Sequence, residues 1–142
     1  MTRVVRKVVA YITRQKQGVM QLLVFEHVDV DAGVQVPKGT VEPNETLLDA
    51  VKREVREETG LTNVDGLRQI GALLRFGEEW NLFALMLDAS APDAWTHYVS
   101  GDGEDKGMNF RYYWTPLNPE PNLAGNQGDG LPLLEDYLSK WM

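Results

Sequence analysis

Hydrophobic and polar positions change period several times along the chain. Residues 3 to 12 (RVVRKVVAYI) and 19 to 27 (VMQLLVFEH) are dense in β-branched and aromatic side chains. The polar stretch TRQKQG between them, with Gly18 as its turn residue, predicts a hairpin. A loop with Asp29, Asp31 and Gly33 then leads to a short extended segment, Val34 to Val36, followed by Pro37, Lys38 and Gly39. Between about Asn44 and Thr59 the period becomes helical. Leu47 or Leu48, Val51 and Val55 fall on one side, Asn44 after Pro43 offers a cap and Gly60 a stop. Two strands are predicted next, LRQIGALLRF (67 to 76) and WNLFALMLDA (80 to 89), joined by Gly77, Glu78 and Glu79. Residues 90 to 107 read as a loop, NFRYYWTPL (109 to 117) as a strand and 118 to 130 as a Pro/Asn/Gly-rich connection. The C-terminal LPLLEDYLSKWM has Pro132 near a helix entry and sets Leu134, Tyr137, Leu138 and Trp141 on one face. This order predicts an α/β fold, a mixed sheet with helices packed against it.

Composition narrows the picture. A chain of 142 residues, 43% hydrophobic and 25% charged, suits one domain spanning 1–142 with an ordinary core. The net charge of −7 is uneven: residues 1 to 60 hold nine basic and nine acidic side chains, residues 61 to 142 five and twelve. Such a balance lacks the basic footprint of a duplex-DNA or anionic-membrane binder. The first fifteen residues have no apolar stretch ahead of their charges, so the expected address is the cytoplasm. Cysteine is absent, which excludes thiolate metal sites and cysteine nucleophiles. With only His27 and His97 as imidazoles, any metal site is built mostly from oxygens.

The chemistry concentrates between Gly39 and Leu61. Glu54, Glu57 and Glu58 stand three and four residues apart, so their carboxylates crowd the last two turns of one helix face. There they repel each other and the negative end of the backbone dipole. Arg53 and Arg56 can offset part of this, and taken alone the cluster would pass for a solvated, ion-paired face. Hard oxygens at this density are also what Mg²⁺ or Mn²⁺ selects. The spacing favours the second reading: G, five residues, E, seven residues, then R-E-apolar-x-E-E-x-G-apolar. By average residue usage that coincidence is on the order of one in ten million for a chain of this length.

The pattern resembles the box of the Nudix hydrolases, and the resemblance implies that family's α/β/α sandwich with a mixed sheet and a catalytic loop-helix-loop. It implies divalent-metal ligation by Glu54, Glu57 and Glu58, with the Lys38 backbone carbonyl as a further ligand, and a glutamate base, which is Glu54 by the pattern of much of the family and a residue of another loop by that of some members. Glu57 and Arg53 join Glu54 as catalytic residues, Arg53 orienting the carboxylates through Glu45 or Glu54. Gly39 has a reason of its own, a loop backbone free to turn toward the metal, and Gly60 ends the helix. The implied reaction is hydrolysis of a diphosphate linkage in a nucleoside diphosphate joined to another group. The tripeptide Pro37-Lys38-Gly39 looks like the lead-in of members acting on dinucleoside polyphosphates, diphosphoinositols or RNA 5′ ends, with Lys38 as one more phosphate-facing charge. Alternatives are a non-catalytic Nudix-fold nucleotide-binding module and a housecleaning nucleoside triphosphate pyrophosphohydrolase; isoprenoid-diphosphate isomerases would need a cysteine.

Outside the box, family members often add an acid from a later loop. Asp102, Glu104 and Asp105 are candidates, with Asp105 favoured as nearest the next strand, and Glu78 and Glu79 are alternatives that also suit a hairpin turn. Phe76, Trp80, Tyr112 and Tyr113 could stack a base, although strand aromatics more often fill a core. His27 and His97 carry no expected catalytic role.

Overall fold

A computed structural model describes residues 4–141. Its centre is β1 (Val5–Lys16), whose VVAYI run is buried on both faces and therefore does not alternate. Val8, Ala10 and Ile12 face one core, Val9 and Tyr11 the other. The remaining strands are β2 (Val19–His27), β3 (Lys38–Thr40), β4 (Arg68–Arg75), β5 (Glu78–Leu87), β6 (Ala94–Tyr98) and β7 (Asn109–Pro116). They lie in the order β4-β5-β1-β2-β7-β6, with β3 added to β1 off that path. Among the described residues only β1 and β5 pair in parallel, over Val5–Arg14 against Glu78–Leu87, so the sheet is mixed as expected. Helix α1 (Leu47–Thr59) covers one face, and α2 (Leu131–Ser139) with a 3₁₀ segment (Ala124–Gly130) covers the other, giving three layers. Among the described residues no helix is long and apolar enough to cross a membrane.

What opens a cleft is a split in this sheet. β1 pairs with β2 only from Thr13↔Leu22 to Lys16↔Val19, and beyond that the two strands diverge. Residues 35–41 wedge into the gap. Gln35 exchanges backbone hydrogen bonds with Phe25 of β2, the Ala10 amide donates to the Pro37 carbonyl, and Lys38–Thr40 pair with Lys7–Val9 of β1. The chain leaving this wedge runs straight into α1.

Several expectations need correction. β1 continues through the polar Thr13–Lys16, because β2 and β5 still offer it partners, and the turn shrinks to Gln17-Gly18. Both residues have positive φ (53° and 78°), as a tight two-residue hairpin requires. The extended segment is β3 at Lys38–Thr40, Val34–Val36 contributing only the Gln35 bridge. Helix α1 starts at Leu47 and is capped by Thr46, whose hydroxyl accepts from the Asp49 amide at 3.1 Å; Asn44, at φ 66°, belongs to the preceding turn. The β4–β5 turn is Phe76-Gly77, so Glu78 and Glu79 lie in β5. Strand β6 falls inside the expected 90–107 loop. It is anchored by Arg14, whose buried guanidinium donates to the Ala91 carbonyl (2.8 Å) and Asp93 (2.9 Å) and stacks on Trp114. Finally, α2 ends at Ser139, with Leu134 and Leu138 buried and Trp141 largely exposed beyond it.

Candidate active site

The wedge, helix α1 and the loop between β6 and β7 enclose a cleft of about 460 Å³. Arg53 organises its carboxylate wall. Its Nε and Nη2 bind the two oxygens of Glu45 (2.7 and 2.9 Å), and Nη1 reaches Glu54 (2.8 Å) and, more loosely, Glu57 (3.4 Å). Nη2 also donates to the Thr40 carbonyl at 3.0 Å, tying the helix to β3. The expected choice between Glu45 and Glu54 as its partner is thus resolved as both. This fork holds the Glu45 carboxyl below its ordinary range.

Gly39 faces Glu54. A Cβ at this position would overlap the Glu54 carboxylate. Gly39 has ordinary strand backbone, paired with Val8, so the requirement is space for the carboxylate and the turn-freedom reason is replaced. A second glycine does the same for Glu57: a Cβ at Gly101, in the β6–β7 loop at φ 84°, would overlap that carboxylate. Gly101 belongs to no motif, and its place in a Gly/Asp-rich loop is the one signal of close approach along the chain.

Glu54 and Glu58 are buried, unusual for carboxylates. Burial pushes the Glu58 carboxyl well above its ordinary value, and neighbouring Glu54 and Asp105 push the same way, against the Lys38 backbone. Burial also raises Glu57, with Glu54 adding to it and Arg53 opposing. Asp105, across the cleft, is raised by burial, with Glu104 and Glu54 adding to it and His27 opposing. Among the described residues, seven carboxylates line the cleft against three cations, Lys7, Lys38 and Arg53. Among the described residues no three side chains already form a closed metal cage; Arg53 draws Glu54 and Glu57 toward itself. The donor set nonetheless suits a hard divalent ion: all-oxygen, partly buried and in negative excess.

The end of α1 is bonded to the sheet behind it. The Glu57 carbonyl accepts from the Ser100 amide (3.2 Å) and lies 2.8 Å from His97 Nε2, the Tyr112 hydroxyl donates to the Glu58 carbonyl, and Trp95 Nε1 to that of Thr59. These are the carbonyls a helix C-terminus leaves without partners. Gly60, at φ 80°, closes the helix with its amide on the Arg56 carbonyl.

Of the other predicted contacts, Asp102, Glu104 and Asp105 all line the cleft, as does Lys38. Phe76, Trp80 and Tyr113 do not. Phe76 is exposed at the β4–β5 turn, and Tyr113 donates to Glu26 at 2.7 Å, its phenol pushed up to about 12 by burial and by that bond. Trp80 is core, and the Lys38 ammonium rests 4.2 Å from its ring centroid. Tyr112 is buried behind the helix, Glu78 accepts from Trp80 Nε1, and Glu79 pairs with Arg6. His27 packs on Phe25 and Phe110. The aromatic side chain that does line the cleft is Phe25, accompanied by Lys7, Gln35 and Gln127. A lysine interrupting the apolar run of β1 was the available signal for Lys7.

The NUDIX domain family model matches residues 3–128. The chain belongs to the Nudix family. It is 29% identical over 115 residues to an RNA pyrophosphohydrolase of Bradyrhizobium sp. (strain ORS 278), covering 70% of this chain and 68% of that protein. Among solved structures, the Nudix domain of Shewanella oneidensis NrtR, complexed with ADP ribose, superposes with a TM-score of 0.72 at 13% identity, over 97% of this chain and 90% of that one. A C. elegans Ap4A hydrolase superposes with a TM-score of 0.63 at 19% identity, over 96% and 99%. These two likenesses establish the Nudix fold. The Nudix box of this chain, Gly39 to Leu61, is the segment that lines the carboxylate wall.

Proposed function

We propose that this Nudix protein is a pyrophosphohydrolase that cleaves a phosphoanhydride bond in a nucleotide or other polyphosphate, using Mg²⁺ or Mn²⁺. The observation that carries the reading is the Gly39–Glu54–Arg53 arrangement. A carboxylate is given room by a missing Cβ and is oriented by an arginine that also fixes Glu45, beside the buried Glu58. The RNA pyrophosphohydrolase relative supports the reaction class.

Glu54, Glu57 and Glu58, with the Lys38 carbonyl and Asp105, would hold the metal. When bound, it neutralises phosphate oxygens and lowers the pKa of a coordinated water. Glu54 takes a proton from the attacking water as its oxygen bonds to phosphorus. The bridging P–O bond breaks, and the departing phosphate carries away the bond's electron pair. Arg53 keeps the Glu54 carboxylate aimed, and the β6–β7 loop closes the far side over Glu57.

A panel of 5′-triphosphorylated RNA, dinucleoside polyphosphates, nucleoside triphosphates, ADP-ribose and diphosphoinositols, assayed by product analysis with Mg²⁺, Mn²⁺ or EDTA, tests this. Turnover of at least one substrate that EDTA abolishes is expected. Binding without turnover across the panel, or turnover surviving EDTA, refutes it.

A further inference from the structure

Among the described residues three cations line a cleft walled by seven carboxylates, and only Arg53 spends its charge on carboxylates there. Lys7 and Lys38 make no ion pair among the described residues. Lys7 Nζ donates to the Thr40 hydroxyl at 2.6 Å, and the Lys38 ammonium lies on the face of Trp80. Both holders are neutral. The strand register explains the placement: Lys7 is opposite Thr40 and Trp80, and Val9 is opposite Lys38. The two lysines are therefore diagonal neighbours on one face of the sheet. Gly39, between Lys38 and Thr40, faces the other way, toward Glu54. The edge of β3 thus separates a carboxylate pocket from a pair of ammonium groups within the same cleft.

We infer that Lys7 and Lys38, held by Thr40 and Trp80, form a second anion subsite that takes a phosphate beyond the scissile pair, so that the substrate carries three or more phosphates in a chain. This rests on the hydrolase reading for the position of the scissile bond, but the subsite itself follows from the lysines alone. Two adjacent ammonium groups at diagonal register positions repel each other. A bridging phosphate relieves that repulsion, and neither ammonium has to leave an ion pair to take it. Trp80 is then a positioning residue acting through Lys38, the role left to it by its absence from the cleft lining.

Two measurements test the subsite. Calorimetry with inorganic tripolyphosphate in EDTA compares wild type with Lys7→Met and Lys38→Met. Each variant should bind about tenfold more weakly, the loss of one charge-assisted contact, and Lys38→Arg should keep most of the affinity. No binding by wild type, or equal binding by the methionine variants, overturns the proposal. In Mg²⁺, the same variants should raise KM about tenfold for a dinucleoside tetraphosphate or a 5′-triphosphorylated RNA, and Lys7→Met should raise it less than about twofold for ADP-ribose, which has only two phosphates. Which long-chain substrate shows the effect identifies the source of the phosphate chain. An equal rise for ADP-ribose overturns the subsite even if hydrolysis is confirmed. Absence of all turnover, with lysine-dependent tripolyphosphate binding intact, sinks the hydrolase reading and leaves the subsite standing.

Discussion

Replacing Gly39 with alanine probes the cleft at its most crowded point. The new Cβ would fall inside the Glu54 carboxylate, while the backbone, ordinary strand paired with Val8, takes no strain. The whole cost therefore runs through one side chain. Forcing an extra carbon into a packed site costs about 1–3 kcal/mol. A displaced Glu54 also gives up the 2.8 Å bond from Arg53 Nη1, at a carboxylate only 10% exposed, worth roughly 1.5–3 kcal/mol. The two overlap, because the displacement is what breaks the bond, so the expected loss is about 2–4 kcal/mol, or about 6–12 °C in Tm for a chain of this size. In a Glu54→Ala background the obstacle is gone, and the same substitution should cost under about 0.5 kcal/mol. Urea unfolding of the four proteins in EDTA closes the cycle. Equal costs in both backgrounds would show that Gly39 is needed for something other than room for Glu54.

Arg53→Lys keeps the charge but loses the fork, so the rate should fall at least about tenfold on any accepted substrate; an unchanged rate would remove Arg53 from the aiming of Glu54. Glu57→Gln relieves a carboxyl whose charge burial and Glu54 disfavour. In EDTA it should melt no lower than wild type, and in excess Mg²⁺ it should lose most of the metal's stabilisation. A lower melt in EDTA with a full Mg²⁺ response would make Glu57 an ordinary ion-paired residue. Glu57, Glu58 and Asp105 all have raised carboxyl values in the fold. The native state therefore binds protons more tightly than the unfolded chain, and stability is lost as pH rises through the raised values. Urea midpoints in EDTA should fall as pH rises above the ordinary carboxylate range and flatten with Mg²⁺; a midpoint that rises there in EDTA contradicts the burial of these groups.

The box was readable because it is local. Helical spacing alone brings Arg53, Glu54, Glu57 and Glu58 together, and Gly60 stops the helix where it stands. Strand β6 was not, since Pro92 and the Gly/Asp run after it outweigh a five-residue segment. What holds β6 is Arg14 of β1 and Trp114 of β7, neither near it in sequence. The polar end of β1 is hidden for a similar reason, its partners being supplied by β5 and β2. The aromatics divide on the same principle. Type and position mark Trp80 as a large side chain in a strand, but only the register against Lys7 shows that it supports a lysine instead of a base. The split between β1 and β2, which creates the cleft, has no signature in either strand.

The carbonyls at the end of α1 are met by donors from β6, β7 and the loop between them, and this changes how the helix can open. An ordinary helix end frays by itself, and its amides exchange with solvent sooner than those of the core. Here the last turn comes loose only if Trp95, His97, Ser100 and Tyr112 release it together. The turn bearing Glu57 and Glu58 and the β6–β7 hairpin should therefore form one cooperative unit in hydrogen exchange, residues 55–60 sharing the protection of 95–98 and 110–112. Shortening the loop tip around Gly103 would leave this latch closed. Removing the Trp95 indole would let the carboxylate-bearing turn breathe without touching a single carboxylate.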